Sequence, residues 1–172
     1  MNWVAETVGA DPWAPSVVPH DPDRIPVWLP YVRGERVPFH DPDRRGSLHD
    51  LDVGLGPDAL LRAAHEASAF VVRHIIDLSA LEATRIVATG GGVRNPAWVQ
   101  AIADGTSLPV DVVAVPEGAA LGTAWLARQS AGLEAPGASA SRWARTASRV
   151  EPDPVWAEAA AVRYRRFREL AG

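Results

Sequence analysis

The segment Thr89-Gly90-Gly91-Gly92-Val93-Arg94-Asn95-Pro96 restricts the chemistry open to this chain more than any other. Three consecutive glycines lose more conformational freedom on folding than any other residues would, so something must require them. One reason is a tight strand-to-helix turn that needs positive φ. The other is the close approach of a ligand to bare backbone, with amide groups and a helix N-terminus facing an anion or a nucleotide. A single glycine usually suffices for a turn, and composition leaves both readings open. The run is not the dinucleotide fingerprint, because Asn95 stands where the third glycine of G-x-G-x-x-G falls when counting starts at Gly90.

Other candidate groups carry less. The string His-Asp-Pro-Asp-Arg occurs at 20–24 and again at 40–44. Histidine with two aspartates can ligate a divalent ion. Asp-Pro-Asp is also a turn former, through side-chain bonds to backbone and the fixed proline φ. With no further ligand cluster at metal spacing, the turn is the expected reading. His65-Glu66 begins an H-E-x-x-H pattern, but Ala69 replaces the second histidine, so a solvated helix face is expected there. An Arg62–Glu66 pair at i,i+4 is available and worth a few tenths of a kcal/mol.

All 17 basic residues are arginine, and cysteine is absent. Without lysine there is neither a Walker-type phosphate loop nor a Schiff-base lysine; without cysteine there is no thiol nucleophile, disulfide or cysteine-ligated zinc. The formal net charge of −4 gives no electrostatic reason to expect nucleic acid. No apolar run reaches bilayer length and the first residues lack a secretory pattern, so a cytoplasmic, non-membrane protein is expected.

The elements that position the glycine run follow from its flanks. Arg85-Ile86-Val87-Ala88-Thr89 reads as a strand leading into it. Asn95 is a good N-cap and Pro96 a favoured first residue for a helix to about Asp104. Pro109 to Val113 reads as a second strand, and Pro116-Glu117 starts a helix to about Gln129 with Ala120, Leu121, Ala124, Trp125 and Arg128 in sequence. Strand, glycine turn, helix, strand, helix is an α/β layer with parallel or mixed strands. Upstream, residues 1–9 predict a helix closed by Gly9. The prolines from Pro12 to Pro30 predict an extended segment with strand pieces at Val27-Trp28-Leu29 and Tyr31-Val32. Residues 57–77 are the strongest helix, with Leu60, Leu61, Ala64, Ala67, Ser68, Val71, Val72 and Ile75 at helical spacing. Residues 132–150 read as a linker. A last helix spans about 153–170, with Trp156, Ala160, Tyr164, Phe167 and Ala171 on one stripe. Arg163, Arg165, Arg166 and Arg168 lie on a solvated face near its C-terminus.

Several of these segments carry a resemblance. Pro30-Tyr31-Val32-Arg33-Gly34-Glu35-Arg36-Val37-Pro38, followed by Arg45-Gly46, resembles the P-Y-x-x-G-E-R-x-P stretch of the FGGY carbohydrate kinases, the xylulokinase branch above all. Leu61-Arg62-Ala63 with Glu66 is similar to that family's L-x-R-A-x-x-E helix. Gly90 to Gln100, with Ala103-Asp104, resembles its adenosine loop, and Glu117-Gly118-Ala119-Ala120-Leu121-Gly122 the helix that follows. A proline-led helix carrying Tyr164 and Phe167 matches the end. The motifs run in order over about residues 28–170.

The resemblance implies an actin-like, ribonuclease-H-like α/β fold, and within it the C-terminal half of a two-domain kinase that phosphorylates a sugar such as xylulose with ATP. It implies an arrangement of lead-in 1–27, nucleotide-binding domain 28–131, linker 132–150 and docking helix 151–172. Gly90, Gly91, Gly92 and Asn95 are the implied nucleotide-binding residues, with Gly91 and Asn95 at the positions nearest the adenosine. ATP or ADP, with Mg²⁺, is the implied ligand, although this chain carries no implied metal ligand. The implied partner is a separate N-terminal sugar-binding domain or subunit, because the sugar site and the general-base aspartate precede this region in the family. No catalytic residue is therefore expected, and the chain is expected to be inactive alone. A relic domain that binds no nucleotide and serves as an interaction module is the rival reading; the intact Gly90–Gly92 run favours the kinase. Asp50 departs from the family's usual glycine and Ala59 from a polar residue, and an exposed turn is expected at Asp50. The face toward the absent domain is expected to be partly apolar, around Val27-Trp28-Leu29 or the start of the 57–77 helix.

Overall fold

The computed structural model describes residues 2–9, 21–135, 138, 140 and 143–172. The proline run between Pro12 and Pro19, and His20 of the first His-Asp-Pro-Asp-Arg string, lie outside them. The chain begins with helix α1 (Asn2–Thr7), stopped at Gly9, whose φ is +68°. Strands β1 (Val27–Leu29) and β2 (Ser47–His49) then form an antiparallel pair with Trp28 opposite Leu48. Tyr31-Val32 extends no strand and contributes only an isolated bridge from Val32 to Gly34.

Helix α2 (Pro57–Ser79) is the centre of the molecule. Pro57 at its first turn needs no hydrogen-bond partner for its nitrogen, and Asp58 sits where the helix dipole favours negative charge. Ala80, in the left-handed conformation at φ 53°, ends it. One side of α2 packs Phe70 against Tyr164 and Phe167 of helix α5 (Pro154–Ala171) and against β1. Phe70 and Phe167 are fully buried, each worth about 2–3 kcal/mol of apolar transfer. Another side of α2 meets helix α3 (Pro96–Thr106) so closely that a Cβ on Gly105 would lie 2.6 Å from the Ala69 Cβ.

Strands β3 (Ile86–Ala88), β4 (Val110–Val113) and β5 (Thr146–Val150) form a second sheet in that order, β3 parallel and β5 antiparallel to β4. The sheet is mixed, one of the two arrangements expected. Ile86, Ala88, Val110 and Val112 face α3 and close a core with Val99, Ile102 and Ala103. Helix α4 (Gly118–Ser130) lies beyond β4, and only Trp125 of its expected apolar stripe is buried. Strand β5 corrects the reading of 132–150 as linker throughout. Its Thr-Ala-Ser-Arg-Val sequence looks like a loop, but Arg149 reaches Asp111 of β4 through Nε at 2.6 Å and Nη2 at 2.9 Å. That pairing, with Arg85 at 3.0 Å, holds the Asp111 carboxyl below the usual carboxylate range.

Two further expectations are corrected. His65 and Glu66 do not lie on a solvated face: both are 1% exposed, and Arg62 is 5% exposed. Nor is Arg163 solvated. It donates from Nε to Glu66 Oε2 at 2.7 Å and from Nη2 to Glu66 Oε1 at 2.8 Å. Arg62 donates to Glu66 Oε1 at 2.9 Å and to Asp104 Oδ2 at 2.7 Å. Asp104 also accepts from Gln100 Nε2 and from the Asp153 backbone. Two guanidinium groups and two carboxylates thus cancel within a buried network that joins α2, α3 and α5. The spacing that places Arg62 and Glu66 among apolar residues puts them inside, and their remote partners make burial tolerable.

Both His-Asp-Pro-Asp-Arg strings turn through their first aspartate. Asp21 Oδ1 accepts from the Asp23 amide at 3.0 Å, and Asp41 Oδ1 accepts from Asp43 at 3.0 Å and Arg44 at 3.1 Å. Asp50 is an exposed turn residue in the left-handed region at φ 61°, a conformation glycine adopts freely. Val27 and Leu29 are buried, so β1 supplies little open apolar surface; Trp3 of α1 packs edge-on against Trp28 with centroids 6.4 Å apart. Among the described residues no helix is long and apolar enough to cross a membrane.

Candidate nucleotide-binding turn

Because β3 and β4 run parallel with Ala88 opposite Val112, their carboxyl ends open on the same side. The crevice beyond such ends is where α/β sheets bind ligands. The turn after β3 holds Gly90–Gly92, and the turn after β4 holds Pro116-Glu117-Gly118. The two turns are tied together. The Gly90 amide donates to the Pro116 carbonyl at 2.9 Å, and Thr89 Oγ1 donates to the same oxygen at 2.9 Å. Arg94 and Glu117 bridge them at 3.8 Å on the surface.

The three glycines have three different surroundings. Gly90 has φ +86°, which strains any side chain. Gly92 has ordinary φ, but a Cβ there would stand 2.9 Å from the Trp98 ring. Gly91 has neither constraint. It is exposed, its φ is not positive, and an added Cβ would meet nothing within 4 Å. The turn explains Gly90 and packing explains Gly92. The fold asks nothing of Gly91, whose bare backbone faces outward.

Behind the glycines the chain winds into a single 3₁₀ turn, Gly91–Arg94, and then α3. Asn95 is the N-cap, as expected: its Oδ1 accepts from the Trp98 amide at 3.0 Å, and its own amide donates to the Gly92 carbonyl at 3.0 Å. Asn95 is 7% exposed, so it lies at the base of the turn while the glycines lie at its rim. Trp98, the floor under Gly92, is fixed in turn by its Nε1 donating to Ser68 Oγ of α2 at 2.7 Å. The central helix thus sets the height of the turn. Thr89, Pro116, Trp98 and Ser68 are placed on their elements by the sequence, but their roles in fixing the turn are not, because each acts through a tertiary contact.

Beside the turn, on the face of the sheet away from α3, lies an apolar cavity of about 250 Å³, lined by Val87, Thr89, Val113, Leu121, Trp125 and Trp143 among others. Trp125 and Trp143 meet edge-to-face at 5.4 Å. The glycines do not line this cavity; Thr89 and Gly118 join it to the turn. No group of three or more His, Cys, Asp or Glu able to hold a metal occurs among the described residues. The exposed backbone at Gly91 leaves room for a ligand to lie directly against it.

A mixed α/β unit with a glycine turn beyond parallel strand ends is an arrangement in which α/β sheets place ligand sites. The chain belongs to the FGGY family of carbohydrate kinases, whose C-terminal domain model matches residues 5–131. It is 37% identical over 140 residues to a glycerol kinase of Allorhizobium ampelinum, covering 77% of this chain and 28% of that protein. It is 30% identical over 143 residues to the xylulose kinase of Escherichia coli, covering 78% of this chain and 29% of that one. The crystal structure of xylulose kinase from Rhodospirillum rubrum superposes with a TM-score of 0.76 at 30% identity, over 98% of this chain and 36% of that chain. The structural neighbours are sugar kinases of the actin-like fold, and this chain corresponds to their C-terminal part. It spans less than a third of the length of these curated relatives.

Proposed function

We propose that this chain is the nucleotide-side portion of an ATP-dependent sugar kinase acting in the cytoplasm, with ATP or ADP lying against Gly90–Gly92 and Asn95 holding the turn beneath it. The observation that carries this reading is Gly91, open to solvent beyond two parallel strand ends and required by nothing inside the fold. A nucleotide lying on that backbone supplies the reason the fold does not. Phosphoryl transfer needs the γ-phosphate, Mg²⁺ and a base-activated hydroxyl in line. The turn offers an adenosine-side surface alone, so the sugar site, the base and the metal's surroundings come from a separate N-terminal domain or subunit. The proposed acceptor is a sugar such as xylulose, the substrate in the names of the Escherichia coli and Rhodospirillum rubrum relatives. Purified 172-residue chain should release no ADP from ATP in response to xylulose or glycerol. Sugar-dependent ADP release that disappears in Gly91→Val would overturn the assignment of the chemistry to a missing domain.

A further inference from the structure

Gly91 is held from both sides. Upstream, the Gly90 amide and Thr89 Oγ1 end on the Pro116 carbonyl, so that anchor is local to the two turns. Downstream, the Gly92 backbone lies against the six-membered ring of Trp98, whose atoms a Cβ on Gly92 would meet at 2.9 to 3.3 Å. Trp98 is only partly buried and sits in the first turn of α3, which by itself leaves its ring free to tilt. Its Nε1 removes that freedom by donating to Ser68 Oγ of α2 at 2.7 Å. Ser68 is committed in turn: its hydroxyl hydrogen goes to the His65 carbonyl at 2.7 Å, which leaves a lone pair for the indole. Hydrogen bonds linked in this way polarise one another. The downstream anchor of Gly91 therefore runs through Trp98 to a single hydroxyl.

We propose that Ser68 is a positioning residue for the glycine turn, acting through Trp98 to hold the Gly91 backbone in the conformation that receives nucleotide. The proposal rests on the reading that a nucleotide lies against Gly90–Gly92. Ser68 meets the nitrogen edge of the indole and Gly92 meets its benzo ring, so the ring passes the position of one to the other. Packing alone asks for no hydroxyl at this place. Ser68 borders a crevice of about 180 Å³ beneath α1 together with Ala64 and Ala67 of the same helix, and alanine at 68 would simply continue that small, apolar lining. What alanine would remove is the indole's acceptor. A partly buried indole N–H seeks another partner, and in turning to find one it carries the benzo ring away from Gly92.

The test uses the full 172-residue chain, isotope-labelled, with and without ATP as the probe. Without ligand, Ser68→Ala should shift the Trp98 indole N–H resonance together with the Gly91, Gly92 and Val93 amides. With ATP, affinity read from the same amides should fall about fivefold, the equivalent of one neutral hydrogen bond. Ser68→Thr keeps the hydroxyl and has the crevice for its methyl group, so it should restore both the resonances and the affinity. Trp98→Phe keeps a ring without the N–H, and adding Ser68→Ala to it should cause no further loss, because the bond is already gone. Turn amides that stay in place in Ser68→Ala would overturn the proposal. So would an affinity loss that Ser68→Thr fails to reverse, or an undiminished effect of Ser68→Ala in the Trp98→Phe background. A parent chain that binds no ATP would overturn the nucleotide reading instead, and the ligand-free shifts would still decide whether Ser68 holds the turn.

Discussion

Removing the Glu66 carboxylate should loosen α5 from the body of the protein more than any surface change. Glu66 accepts from Arg62 Nε at 2.9 Å and from Arg163 Nε and Nη2 at 2.7 and 2.8 Å, with the whole cluster nearly excluded from water. In Glu66→Ala, Arg62 keeps its bond to Asp104 and its place over the Trp156 ring, 4.3 Å from the centroid. Arg163 keeps the Pro22 carbonyl and loses its charge partner. Breaking a buried pair from one side leaves an uncompensated charge and costs about 3–5 kcal/mol, a large part of a typical total of about 5–15 kcal/mol. Glu66→Gln retains the shape and one acceptor oxygen and should cost less. Replacing both ends at once, as Glu66→Leu with Arg163→Met, should recover much of the loss, because neither charge then needs a partner. Urea unfolding followed by tryptophan fluorescence, with 7 tryptophans as reporters, measures each difference. A loss below about 1 kcal/mol in Glu66→Ala would refute the reasoning, as would a double variant no better than the single one.

Acid should weaken the fold through His65, whose ring nitrogens have no hydrogen-bond partner among the described residues. Burial first, then Arg62, pushes its pKa from 6.5 down to about 4, so the unfolded chain binds a proton that the folded one refuses. Stability is then highest above pH 6.5 and falls as pH drops, by about 2 kcal/mol between about pH 7 and pH 5. His74, also lowered by burial, adds in the same direction. Urea midpoints should fall as pH is lowered across this range, and His65→Leu should flatten that pH dependence; an unchanged pH dependence in that variant contradicts the assignment. Asn95→Ala removes the cap of α3 and should cost about 1 kcal/mol by the same measurement. Gly92→Ala must displace the Trp98 ring and should lower the melting temperature, whereas Gly91→Ala should leave it alone.

What could be read from the sequence was local. Asn95-Pro96 announces a capped helix whatever lies around it, and Asp-Pro-Asp announces a turn. The strand before Gly90 and the strand at Val110 are short aliphatic runs between clear breaks. Arg62 and Glu66 could not be placed from their own helix, because Asp104 and Arg163 lie 42 and 97 residues away and only the fold brings them together. β5 was hidden for a related reason: Arg149 makes it a strand through Asp111, against a composition typical of loops. β2 offers three residues without periodicity, and pairing with β1 alone makes it a strand. α4 has a helix's spacing, but spacing does not say whether the resulting face finds a neighbour. At the site, the glycine run was visible as a run. Its division into one glycine for φ, one for Trp98 and one for neither needed coordinates.

Titrating isotope-labelled chain with ATP and following backbone amide resonances tests the central proposal most directly. The account predicts shifts concentrated at Gly90–Gly92 and the Asn95 amide, abolished by Gly91→Val in a protein whose melting curve is that of the parent. Shifts elsewhere with the glycine turn silent at millimolar ATP, or unchanged binding in Gly91→Val, would contradict it.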